Sequence, residues 1–240
     1  MKRLLIAATF LVAAAAVGAG VLYSWGYQRF TGPGPLDDRQ VVLIEPGSGL
    51  TAIARQLAQA DVIRSALVFR LGARATGQAG RLQAGEYAFP ARVSPQQALR
   101  IVVSGQTVTR TLTIPEGLTS REIVARLRQA PGLTGEIADV PDEGDLLPET
   151  YHYERGDSRS ELMARMREAM DRTLDALWPE RAEDLPFDSR LEAVTLASIV
   201  EKETAVPDER ALVAGVFVNR LARGMRLQSD PTVRYALTEG

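Results

Sequence analysis

The sequence predicts an α+β chain: one transmembrane helix at the N-terminus, a small α+β module, and a mainly helical remainder. Three observations predict it. An uncharged run, Leu4–Trp25, follows Lys2 and Arg3. Between residues 40 and 105, short β-type runs alternate with Pro/Gly turns and short helical stretches. From residue 106 onward, long amphipathic runs take over. The expected divisions are a cytoplasmic tip and anchor at 1–30, a linker at 31–39, the α+β module at 40–105 and the helical region at 106–240.

Composition removes several function classes. The 240 residues are 45% hydrophobic and carry a net charge of −2, which leaves no basic footprint for nucleic acid. There is no GxxxxGK phosphate loop and no HExxH pair. With no cysteine, neither a disulfide framework nor a thiol nucleophile is available. His152 is the single histidine, too few for a metal site, and no Ser/Asp pattern marks it as a triad base. No metal and no cofactor is expected.

Leu4–Trp25 would span roughly 33 Å as a helix, about one bilayer core. Tyr23, Trp25 and Tyr27 fit an interfacial aromatic belt. The positive N-terminal end places the rest of the chain outside the cytoplasm. A cleaved signal peptide is the rival reading, with small residues at Ala13–Ala16, but the apolar run is long for one. The expected location is therefore the cell (inner) membrane, single-pass, with the bulk periplasmic or extracytoplasmic. Gly32, Pro33, Gly34 and Pro35 read as a short linker clear of the membrane.

In the module, VVLIEPGSG reads as strand then turn, Leu50–Ala60 and Ala66–Ala73 as helices, and Gly85–Phe89 as a second strand. Ser94, Pro95 and Gln97 supply an N-cap, an N1 proline and a capping-box partner for a helix to Ser104. A faint repeat aligns Ile44-Glu45-Pro46-Gly47 with Ile114-Pro115-Glu116-Gly117. Two instances of a common strand-to-helix connection explain so few identities better than a duplicated half-module.

The helical region is entered through a strand at Thr107–Ile114, and Thr119 with Glu122 caps the next helix. Gly132–Gly144 is polar and acidic and reads as a loop. Ser158 and Glu161 cap a helix through Leu177, on which Met163, Met166 and Met170 form a core stripe.

Ser189 and Glu192 make a capping box for a helix whose apolar residues cover most of its circumference, which predicts a buried central helix. Glu201 and Glu203 fall in its last turn, where the macrodipole disfavours ionised carboxylates. Helical spacing puts Glu203 with Leu196, Ile199 and Val200, and Glu201 on the other side with Val194 and Ala197. A carboxyl among aliphatic residues at a helix C-terminus is expected to hold its proton, as the general acid of glycosidic cleavage must. The plainer alternative is a solvated helix end. Asp208–Arg223 is amphipathic and stops at Gly224, a C′ glycine. Asn219 and Arg220 lie in its last turns, and Gln228, Ser229 and Asp230 follow. Asp230-Pro231 reads as an N-cap with an N1 proline, which is compatible with lining a cleft.

The words LASIVEKETA, VFVNRL and GMRLQSDPTV together resemble the active-site region of the YceG-like family of endolytic murein transglycosylases. The resemblance implies that Glu203 is the catalytic acid and that Asn219, Gln228, Ser229 and Asp230 bind substrate. EGDLLPETYHY is similar to a further family segment bordering the cleft, which adds Tyr151 as a substrate-binding candidate; packing is its plainer role. The two-strand, two-helix order of the module is similar to a LysM-like unit, whose relatives bind N-acetylglucosamine chains; a packing platform is the alternative. The resemblance implies a lyase acting on peptidoglycan glycan strands, with one Glu as acid and then base, 1,6-anhydro-N-acetylmuramic ends as product, and a role in cell-wall assembly or chain-length control. Penicillin-binding proteins and other wall-synthesis proteins are the implied partners. The chain stops at Gly240, whereas family members continue with cleft segments rich in Asn, Tyr, Gly and Pro. A non-catalytic wall-binding or scaffold protein with an incomplete site is the competing expectation.

Overall fold

The structure, a computed structural model, describes residues 2–238, with the side chains of residues 2–5, 7 and 8 left aside. It divides into one unit up to Val108 and a second from Thr109 on.

The first unit runs α1 (Lys2–Thr31), β1 (Gln40–Ile44), α2 (Leu50–Gln59), α3 (Ala66–Ala75), β2 (Gly85–Phe89) and α4 (Pro95–Ser104). β1 and β2 pair antiparallel, from Gln40 opposite Phe89 to Ile44 opposite Gly85, with both intervening helices in the connection. Ile44, Ile53, Leu57, Phe69, Tyr87, Phe89 and Leu99 fill the core. The Ser94/Gln97 capping box of α4 forms in full, and Ser65 caps α3 through Val68 N–H.

α1 is one unbroken helix, and its Thr9–Thr31 part is long and apolar enough to cross a membrane. Its last turns are not a free stalk. Phe30 is buried, and its ring fills the space that a side chain on Gly72 of α3 would need. The Gly32–Pro35 stretch, expected to run clear as a linker, is packed against the module. Gly34 N–H points at the Arg92 and Val93 carbonyls, at 3.2 and 3.1 Å, and Leu36 is buried. Gly34 serves close backbone approach rather than flexibility.

The second unit contains β3 (Thr109–Thr113), α5 (Ser120–Gln129), β4 (Thr150–Glu154), α6 (Arg159–Leu177), α7 (Arg190–Glu203), α8 (Arg210–Ala222) and α9 (Asp230–Thr238). Single 3₁₀ turns occupy Trp178–Glu180 and Pro207–Glu209. β4 is a strand within the EGDLLPETYHY segment, to which the sequence assigned no element. Thr150–Glu154 alternates, burying Tyr151 and Tyr153, and pairs antiparallel with β3. Ile114, Ile123, Val124, Leu127, Leu162 and Met166 complete that core. Met166 and Met170 are buried and Met163 packs beside them, as the stripe predicts. β1–α2 and β3–α5 share the strand–turn–helix form, with Gly47 and Gly117 both in the left-handed region at φ +79° and +75°.

The Gly132–Gly144 stretch carries no helix or strand, yet Leu133 and Ile137 anchor it. Ser158 stands at the N-cap of α6 without making the expected side-chain cap; its hydroxyl meets Ser160 instead. Arg159 ties the loop to α5. Its guanidinium donates to the carbonyls of Leu127 (3.0 Å), Arg128 (3.2 Å) and Gly135 (2.8 Å), placing positive charge at the C-terminus of that helix. Arg159→Ala is expected to cost about 2–4 kcal/mol, because hydrogen bonds to a charged group are lost together. Urea unfolding checks this through a lower midpoint at unchanged slope.

α7 is not the buried central helix that its composition suggests. Leu196, Ile199 and Val200 are buried with Phe217 of α8, but Leu191 is 65% exposed, and Thr195, Ala197 and Ser198 also face solvent. α8 and α9 cover the Leu196/Ile199/Val200 face, and Val194 lies against Gly144. On the open side, the Thr195 and Ser198 hydroxyls bond the carbonyls of Leu191 and Thr195, so that face is satisfied without a partner element.

Candidate active site

α7 aims the candidate acid. Ser189 Oγ accepts from Glu192 N–H, and the Glu192 carboxylate accepts from the Ser189 amide, the reciprocal box that fixes where the helix starts. The Ser189 hydroxyl and the backbone amides of Asp188 and Ser189 hold the Glu192 carboxyl below the ordinary carboxylate range. A depressed folded-state value means that the cap helps above the unfolded-state value and is lost as pH falls through the folded one. Glu192 is thus committed to the start of α7, about 16 Å from Glu203 along the axis.

At the other end, two side chains are tied to the chain that follows. Glu201 pairs with Arg210 at 2.8 Å. Thr204, buried, donates to Glu209 at 2.9 Å and accepts from Val206 N–H at 3.1 Å. Glu203 differs. The sequence placed it among Leu196, Ile199 and Val200, but that aliphatic packing ends a turn before it, and its side chain is exposed. What meets it is a hydroxyl: Ser229 Oγ–H donates to Glu203 Oε1, while Oε2 has no partner among the described residues.

Ser229 reaches α7 because the chain between α8 and α9 is fixed at successive points. Gly224 ends α8 in the left-handed region, and the Arg220 guanidinium holds the Leu227 carbonyl. Gln228 then takes φ +55°, a conformation that non-glycine residues adopt at a cost of order 1 kcal/mol. The Ser229 carbonyl accepts from Thr232 N–H (3.1 Å) and Thr232 Oγ1 (2.7 Å). Ser229 itself is 3% exposed. α9 starts at Asp230, so Ser229, not Asp230, is the residue before its first turn.

The structure thus brings Glu203 and Ser229 into contact, with Gln228 and Asp230 flanking Ser229 on the elbow, both exposed. Asn219 is exposed on α8, next to the Arg220 that braces the elbow. Tyr151 does not join this group: it is buried in the core of β3, β4, α5 and α6, and its hydroxyl donates to the Leu147 carbonyl at 2.7 Å. Burial pushes its phenol up from the usual range, with Glu149 adding to the effect. Glu143, in the same segment, accepts from Ser120 N–H at the first turn of α5. Sequence reasoning missed the role of Arg220; a cation in the last turn of a helix before an irregular elbow is the signal that pointed to it.

Chemically, the arrangement presents one carboxyl with one oxygen fixed by a donor and the other open. Such a group can give a proton to an approaching oxygen and later take one back. Among the described residues no cluster of three or more metal-ligating side chains occurs.

The chain is 30% identical to a Streptococcus pneumoniae protein named endolytic murein transglycosylase, over 95% of this chain and 49% of that protein. A Bacillus subtilis protein of the same name is 27% identical over 80% of this chain and 62% of its own. The chain therefore spans about half the length of the streptococcal relative and less than two thirds of the other. A crystal structure of a YceG-like protein from Listeria monocytogenes aligns at 28% identity and a TM-score of 0.43, over 85% of this chain and 77% of that one. The YceG-like family model matches residues 42–240, which takes in the first unit from residue 42 on, all of the second, and every candidate site residue. On that match the chain belongs to the YceG-like family.

Proposed function

We propose that the chain acts as a membrane-anchored lytic transglycosylase on peptidoglycan glycan strands, with Glu203 as its acid and base. The observation that carries this reading is the Glu203 carboxyl at the end of α7, held at Oε1 by Ser229 and open at Oε2. The names of the relatives supply the substrate class. Glu203 gives its proton to the glycosidic oxygen after N-acetylmuramic acid, and the C1–O bond breaks. The 6-hydroxyl of the same sugar closes on C1 and returns its proton to Glu203, leaving a 1,6-anhydro end. Water is not consumed, so a second carboxylate to activate it is not required. Exposed Asn219, Gln228 and Asp230 are proposed to contact the sugars. Tyr151, buried in the β3–β4 core, is given a packing role and no sugar contact.

α1 serves as a retained anchor, N-terminus in the cytoplasm, with the remainder outside. A topology reporter fused after residue 238 is expected to be active only outside the cytoplasm; cytoplasmic activity would remove the anchor reading. The β1–α2–α3–β2 order supports a LysM-like role for residues 40–105 in holding N-acetylglucosamine-containing strands. Association with penicillin-binding proteins and other wall-synthesis proteins follows from the family alone.

Defined glycan strands incubated with the purified chain test the proposal. Internal cleavage yields strands of intermediate length early in the reaction. The exposed setting of Glu203 favours a second reading, a wall-binding protein with an open, inactive site. Strands that sediment with the chain but keep their length would establish that reading in place of the first.

A further inference from the structure

The geometry points to Ser229 as a positioning residue for Glu203, not as a sugar ligand, an inference that rests on the role of Glu203 proposed above. A serine hydroxyl has one hydrogen to donate. Here it goes to Glu203 Oε1, and a residue 3% exposed has little surface to offer a sugar. Glu203 sits at an exposed helix end with three rotatable side-chain bonds, and Ser229 sits on an elbow braced by Arg220, Gln228 and Thr232. The serine therefore pins Oε1 and leaves Oε2 as the oxygen that carries the proton. When that proton leaves for the glycosidic oxygen, the new negative charge is already met by the Ser229 O–H. No group has to reorganise at that moment, so the contribution falls on the transition state and the ionised intermediate rather than on substrate binding. The bond persists while the 6-hydroxyl proton returns to Oε2.

The test compares Ser229→Ala, Ser229→Thr, Glu203→Gln and the Glu203→Gln/Ser229→Ala double variant in the full chain. Ser229→Ala is expected to lower kcat about tenfold to a hundredfold, as loss of a hydrogen bond to a charged group does, with KM within about twofold. Ser229→Thr, which keeps the hydroxyl but adds a methyl group to a buried site, is expected to be the more active of the two. A purely structural serine predicts the reverse order, because alanine fits that space and threonine overfills it. The double variant is expected to be no slower than Glu203→Gln, since the serine acts through that carboxyl. A reading without turnover uses the carboxyl carbon resonance of Glu203, assigned by its loss in Glu203→Gln. Ser229→Ala should shift it and Ser229→Thr should shift it less. A raised KM at unchanged kcat, additive losses in the double variant, or an unmoved resonance each overturn the assignment. If Glu203→Gln stays fully active, the proposed function falls, and this role with it. An inactive Glu203→Gln beside a fully active Ser229→Ala overturns the Ser229 role alone.

Discussion

Glu203→Gln is expected to lower glycan-strand cleavage by at least about 10²–10⁴-fold, the usual worth of general acid catalysis, with the fold intact. The substitution keeps the side-chain shape and an oxygen to accept the Ser229 hydrogen, and removes only the transferable proton. Because Glu203 is exposed and sits beyond the Leu196/Ile199/Val200 packing, no core contact changes with it. Glu201→Gln is the matched control. It breaks an ion pair with Arg210 in which both side chains are partly exposed, so it should cost less than about 1 kcal/mol and leave the rate within a few-fold. A circular dichroism melt separates a chemical loss from unfolding. Comparable losses in both variants would mean that the turn as a whole, rather than one carboxyl, is what the reaction needs.

Gly34→Ala is expected to destabilise the first unit by about 2–4 kcal/mol, a large value for adding one methyl group. A β-carbon there would lie 2.2 Å from the Val93 carbonyl oxygen and 2.8 Å from that of Val62. Both are backbone atoms, which cannot rotate away as a side chain can. Relief requires moving the segment, which gives up the Gly34 N–H bonds to Arg92 and Val93 and draws Leu36 out of the core. Phe30 sits four residues earlier in the same dock. The consequence reaches function through orientation: a packed Phe30–Leu36 segment holds the β1–α2–α3–β2 module at a fixed angle to α1, where a loose linker would let it swing. Unfolding of the variant followed by tyrosine fluorescence, with Gly80→Ala as a comparison at a site open to solvent and without a left-handed backbone, checks the magnitude. A loss below about 0.5 kcal/mol would mean that the junction gives way freely.

Local signals carried far in this sequence. The Ser94/Gln97, Thr119/Glu122 and Ser189/Glu192 boxes each form, because both partners lie within one turn and need nothing else in the fold. What the sequence hid depends on distant partners. TYHYE becomes a strand because Thr150 meets Thr113 across the sheet, 37 positions away, with their hydroxyls 3.0 Å apart. Gly32–Pro35 has the composition of a linker, and only the Val62 and Val93 carbonyls show why Gly34 must lack a side chain. The apolar circumference of α7 suggested burial on all sides, yet burial needs neighbours, and α8 and α9 cover one face. At the site, the words around Glu203 marked the carboxyl, while its contact with Ser229 depends on the bend at Gln228 and the grip of Arg220 on Leu227.

The most direct test of the account is mass spectrometry of the products formed from glycan strands in heavy-oxygen water. Proton transfer by Glu203 with closure of the 6-hydroxyl predicts fragments ending in 1,6-anhydro-N-acetylmuramic acid. Those ends are lighter by one water than hydrolysed ones, carry no heavy oxygen, and are missing from Glu203→Gln. Reducing ends that take up heavy oxygen, or the same anhydro products in undiminished yield from Glu203→Gln, would contradict it.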